Sequence, residues 1–84
     1  MLTQYVQLAM RQAHYELMEN RRFFGRIPQC QRLWAESPTL EECRDELQSN
    51  LKDWLLLGLQ LRHPLPVIEG IDLNRKAPAY AEAH

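Results

Sequence analysis

The 84-residue chain predicts an α+β fold: a helix, a three-stranded antiparallel meander, a long helix packed on that sheet, and a final strand. Three observations carry the prediction. Apolar residues recur at helical spacing near the start and again from residue 40. Between those stretches the period shortens to two, as in half-buried strands. A capping signal opens the second helical stretch, and proline closes it.

The first element is the stripe Leu2, Tyr5, Val6, Ala9, Met10 and Ala13, an amphipathic helix over 2–13 with Gln4, Gln7, Arg11 and Gln12 opposite. In 14–19, Tyr15 and Leu17 alternate with Glu16, which reads as a strand. Asn20-Arg21-Arg22 forms the turn into a second strand, 23–27, where Gly25 marks a bulge or a close backbone approach. Pro28 ends that strand because it has no N–H for a ladder, and 32–35 supplies the third.

Thr39 then acts as N-cap and Glu42 as its partner in a capping box, with Glu41 and Glu42 at the positive end of the helix dipole. Leu40, Cys43, Leu47, Leu51, Trp54, Leu55 and Gly58 define one face. This helix spans about 23 residues, roughly 34 Å at the α-helical rise. Arg62 and His63 suit its last turn, and Pro64 stops it. Beyond Trp54, the additional Leu56, Leu57, Leu59 and Leu61 make the helix apolar almost all round, so a homo-oligomer interface is expected there. Residues 67–73 read as a last edge strand, giving one domain over 1–74 and a frayed tail over 75–84.

Composition narrows the function classes. With 45% hydrophobic residues and a net charge of −1 the chain has apolar surface enough to fold. A domain this small buries a thin core, which favours oligomerisation. Cys30 and Cys43 form neither a CxxC pair nor a disulfide framework, no basic leader precedes an apolar run, and 54–61 is too short to span a membrane. A reducing cytoplasm is the expected location. Charge is uneven along the chain: residues 1–35 carry a net +3, whereas residues 36–74 carry −5.

No catalytic constellation emerges. The histidines at 14, 63 and 84 are scattered, the three glycines are isolated, and Glu41, Glu42, Asp45 and Glu46 read as dipole complements on a solvated face. The two cysteines read as small buried hydrophobes. The expectation is a protein without enzymatic activity, metal or cofactor. One cluster invites a partner: Arg22, Phe24, Arg26 and Trp34 mix cations with aromatics, as single-stranded RNA binders do. The chain is not basic overall and lacks the signature of RNA-recognition sheets, so this is the second reading.

From Phe24-Gly25-Arg26-Ile27-Pro28-Gln29-Cys30 to Ser37-Pro38-Thr39-Leu40-Glu41-Glu42-Cys43 the chain resembles the HicB family of antitoxins from type II toxin-antitoxin systems. The resemblance runs from about Tyr15 to Leu73. It implies a ferredoxin-like or partial RNase H-like sheet without catalytic carboxylates. It also implies an antitoxin, or an orphan relative of one, that binds and occludes a HicA-type mRNA-cleaving toxin, whose basic RNA surface would be drawn to the acidic second half. Gln29 stands where that family commonly has glycine, and the helix over 2–13 precedes its usual first strand. Only 11 residues follow Leu73, so direct DNA binding is not expected.

Overall fold

The computed structural model describes residues 2–74. The elements run α1 (Leu2–Arg11), β1 (His14–Leu17), β2 (Phe23–Arg26), β3 (Trp34–Ser37) and α2 (Leu40–Leu61). The strands form an antiparallel sheet in the order β1-β2-β3, with Leu17 opposite Phe23 and Phe23 opposite Ser37. Helix α2 crosses the inner face of β2 and β3, and α1 lies against α2. This is the expected α+β layering of a meander under a long helix. The expected tail over 75–84 lies outside the described residues.

α1 forms because its apolar stripe has somewhere to go: Tyr5, Val6 and Ala9 are buried, and the Tyr5 hydroxyl donates to the Pro66 carbonyl at 2.6 Å. It is shorter than the sequence suggests. Gln12 and Ala13 leave it through two tight bonds to Ala9 and Met10, which turn the chain into β1. The β1–β2 connection, 18–22, is a hairpin whose three-residue loop, 19–21, is closed by Met18 N–H donating to the Arg22 carbonyl, with Arg21 N–H donating to the Met18 carbonyl. Arg21 sits at φ 64°, the left-handed position that such a loop needs before its bulge.

β3 begins later than 32–35. Arg32 takes φ 66° inside a turn closed by Leu33 N–H on the Cys30 carbonyl, so the ladder starts only at Trp34. α2 starts as expected, with the Thr39 hydroxyl accepting from Glu42 N–H at 3.1 Å. Cys43, Leu47, Leu51, Leu55 and Gly58 form its buried line, while Leu40 in the first turn stays exposed. At the far end, Arg62 takes φ 59° rather than continuing the helix, and His63 N–H returns to the Gly58 carbonyl at 2.8 Å, a Schellman cap.

The segment 67–73 does not add a strand to the sheet. Ile68 and Ile71 pair with each other across Glu69 and Gly70, both at positive φ, as a two-residue type I′ turn demands. Both isoleucines are buried, so folding this segment on itself satisfies its apolar residues without a neighbouring strand. Asn74 closes the loop: its side chain accepts from Leu65 N–H at 2.6 Å and donates to the Leu65 carbonyl at 2.8 Å.

Candidate functional site

The pleat sorts the sheet's side chains onto two faces. Gly25 lies against Cys43 of α2, and Ala35 and Ser37 are buried on the same inner side. The alternate positions therefore point away from the helix: His14 and Glu16 on β1, Phe24 and Arg26 on β2, Trp34 and Glu36 on β3. No described element covers this outer face. Three of the four residues singled out by the basic-aromatic pattern, Phe24, Arg26 and Trp34, are on it, and Arg22 joins them from the end of the loop.

Phe24 and Trp34 stack with centroids 5.9 Å apart and rings 24° from parallel. Trp34 leaves 53% of its surface exposed, an unusual state for so large an apolar group and one typical of interface anchors. Arg22 Nε donates to Glu36 Oε2 at 2.6 Å with both side chains over a third exposed, which fixes the loop to β3 more than it stabilises the fold. Trp34 is held from behind as well, because its carbonyl accepts from Asn50 Nδ2 of α2 at 3.1 Å. Next to the stack, Arg26, Pro28 and Arg32 help line a shallow cleft of about 240 Å³.

Two partners were missed by the sequence pattern. Glu16 and Glu36 stand directly opposite Phe24 on either side, so the central aromatic is flanked by carboxylates. The available signal was the period of two from Trp34 to Glu36. With Arg22 engaged by Glu36, the face is close to neutral, unlike a groove built for phosphates.

The cysteines lie inside. Burial pushes the Cys30 thiol up to about 11, and the Cys43 thiol is raised by burial and by the charges of Glu46 and Glu36. Cys43 donates weakly to the Ala35 carbonyl at 3.6 Å. Neither offers a thiolate near neutral pH. Among the described residues, no three His, Cys, Asp or Glu side chains gather as metal ligands, and no helix is long and apolar enough to cross a membrane.

The leucines expected at an oligomer interface separate. Leu59 packs partly on the core, whereas Leu56, Leu57 and Leu61 each leave more than half their surface exposed. The acidic residues Glu41, Glu42, Asp45 and Glu46 are exposed along the first two turns of α2. Ser37 reaches one of them, donating to Glu46 at 2.6 Å.

A family model described as UPF0150-like matches residues 4–66, a range that contains α2 and the whole sheet. The crystal structure of TTHA0281 from Thermus thermophilus is similar to this chain at 34% identity with a TM-score of 0.82, over 89% of this chain and 94% of that one. No curated protein matches.

Proposed function

The chain belongs to the UPF0150-like family, and from that premise we propose that it is a non-catalytic antitoxin of HicB type that binds and occludes a HicA-type mRNA-cleaving toxin in the cytoplasm. The observation that carries this reading is where the HicB-like residues lie. The stretch from Phe24 to Cys43 builds the exposed outer face of β2 and β3, the cleft at Pro28, and the acidic start of α2. Trp34 on Phe24 supplies a rigid anchor with few rotamers to freeze, and Arg26 a flanking cation. The carboxylates from Glu41 to Glu46 steer a basic partner toward it. Inhibition then needs no chemistry from this chain, because covering the toxin's RNA surface excludes the substrate.

The test is co-expression with a HicA-type toxin encoded beside this gene, followed by purification of the complex and an RNA-cleavage assay. The complex is expected to suppress cleavage, and Trp34→Ala to weaken it by about 2 kcal/mol, roughly thirtyfold. Failure of the purified proteins to associate at micromolar concentration overturns the reading. The aromatic stack also favours a second reading, in which the face from Arg22 to Trp34 holds single-stranded RNA. Glu16 and Glu36 beside Phe24 weigh against it; salt-sensitive RNA binding lost in Arg26→Ala and Phe24→Ala would establish it. The exposed Leu56, Leu57 and Leu61 form the surface through which the protein self-associates in this proposal, and Leu57→Glu tests it by light scattering.

A further inference from the structure

The two edges of the sheet are finished differently. Met18 N–H donates to Arg22, so in the β1–β2 register the ladder bonds fall to His14 and Glu16, and the N–H and C=O groups of Tyr15 and Leu17 point outward. Among the described residues no hydrogen-bonding group reaches them. On β3, by contrast, the outward Trp34 carbonyl is taken by Asn50. The segment 67–73, whose composition suits a strand, has folded on itself and leaves β1 open.

The inner side of β1 is only partly covered. α2 packs mainly on β2 and β3, Tyr15 rests against the core, and beside it lies a cleft of about 660 Å³ between Met10, Arg11 and Ala13 on one side and Leu40, Glu41 and Arg44 on the other. Leu17, farther along the same strand, is 61% exposed. A bare strand edge beside an exposed leucine and an open cleft of mixed polarity is a template for another strand.

We propose that β1 pairs antiparallel with β1 of a second copy of this chain, about a twofold axis at Tyr15, joining two sheets into one of six strands. The register follows from the residues. A twofold axis at Glu16 sets the two Glu16 carboxylates directly opposite each other, and one at Leu17 runs the pairing into the hairpin loop. An axis at Tyr15 keeps Tyr15 opposite its own copy in a hydrogen-bonded pair. It sets Glu16 opposite His14 of the second copy on the outer face, and Leu17 opposite Ala13 on the inner face. Glu41 and Arg44 on each rim offer the second copy both a cation and an anion, as an isologous contact requires. This interface is independent of the toxin-binding reading and separate from the leucines at the end of α2.

The experiment measures mass and dissociation constant by sedimentation for the full chain. His14→Glu places like charges opposite each other on an exposed face, where it does not threaten the monomer's fold. It is expected to weaken the β1 contact at least tenfold at low salt, and adding Glu16→Arg is expected to restore it. Leu17→Pro, which removes an N–H that no ladder bond uses, is expected to do the same as His14→Glu while retaining the circular dichroism of the wild type. A wild type that stays monomeric overturns the proposal, as does a His14→Glu variant with unchanged association. Loss of self-association in Leu57→Glu with no effect of His14→Glu assigns the contact to the leucine patch instead; the converse result removes that patch and leaves β1.

Discussion

Gly25 lies close against α2, and its replacement by alanine gives a quantitative test of that packing. Its φ is ordinary for a strand, so the demand is for space and not for a left-handed backbone. A Cβ built there lies 3.0 Å from two ring carbons of Tyr15 and 3.1 Å from Cys43 Sγ, against an optimum of about 3.5–4.0 Å for carbon contacts. The Tyr15 ring closes over its cross-strand partner Gly25, and the sulfur closes the other side. Overpacking of this kind costs about 1–3 kcal/mol. Removing a flexible glycine returns about 0.5–1 kcal/mol. Gly25→Ala is therefore expected to destabilise by about 1–2 kcal/mol, and at ~4–8 °C per kcal/mol to lower the melting temperature by roughly 5–15 °C. Thermal and urea unfolding followed by circular dichroism measures both. Cys43→Ala, which removes one of the two obstructing groups, is expected to couple with it, so that the double variant loses less than the sum of the singles by at least about 0.5 kcal/mol. A Gly25→Ala protein as stable as wild type, or strict additivity in the cycle, would refute the account.

Other consequences follow from single contacts. Arg62 holds a left-handed cap that glycine occupies without penalty, so Arg62→Gly is expected to stabilise by about 0.5–1 kcal/mol in the same unfolding assay. Asn74→Ala strips Leu65 N–H and C=O of their partners at a cost of about 1–3 kcal/mol, and hydrogen exchange should show the Ile71 amide opening before the amides of α2. Stability should also fall in alkali: unfolded thiols ionise near pH 9, whereas folded Cys30 holds its proton to about 11, so over that interval the unfolded chain binds fewer protons and gains. Cys43 and Tyr5, both raised by burial, push the same way, and melting temperatures measured from pH 8 to 11 check the sign.

The helices were legible in the sequence because their signals are local. Tyr5, Val6 and Ala9 repeat on one face, and Thr39 with Glu42 marks a start that the hydroxyl-to-amide bond reproduces. The start of β3 was not legible, since Arg32 is an unfavourable residue for the left-handed conformation it adopts, and nothing in Gln31-Arg32-Leu33 marks a turn. The last strand failed for the opposite reason. Glu69-Gly70 between two isoleucines is a hairpin signal, but the same apolar run also fits a single strand, and only the depth of the pocket taking both isoleucines decides between them. At the candidate site, the mixture of arginines and aromatics marked Phe24 and Trp34, which the structure stacks on the outer face. What single-strand patterning could not supply was the neighbour across the ladder, which sets Glu16 and Glu36 against Phe24 and turns a basic-aromatic cluster into a nearly neutral one.

That neutrality bears on how one small sheet can serve two contacts. α2 packs mainly on the inner sides of β2 and β3, and the apolar groups left exposed include Trp34 on the outer face, Leu17 at the β1 edge, and Leu56, Leu57 and Leu61 near the end of α2. They lie on different surfaces, and each has its own polar surroundings: the Arg22 to Glu36 pair near Trp34, His14 and Glu16 beside Leu17, Lys52 and Asp53 in the turn before Leu56. A second copy paired through β1 extends the sheet sideways without covering Trp34. The outer faces of two copies then run together as one surface with two Trp34 anchors about a twofold axis. If a toxin binds there, its stoichiometry is two per dimer, and weakening the β1 contact with Leu17→Pro, whose side chain lies off the outer face, should lower avidity for an immobilised toxin while leaving the affinity of a single site unchanged.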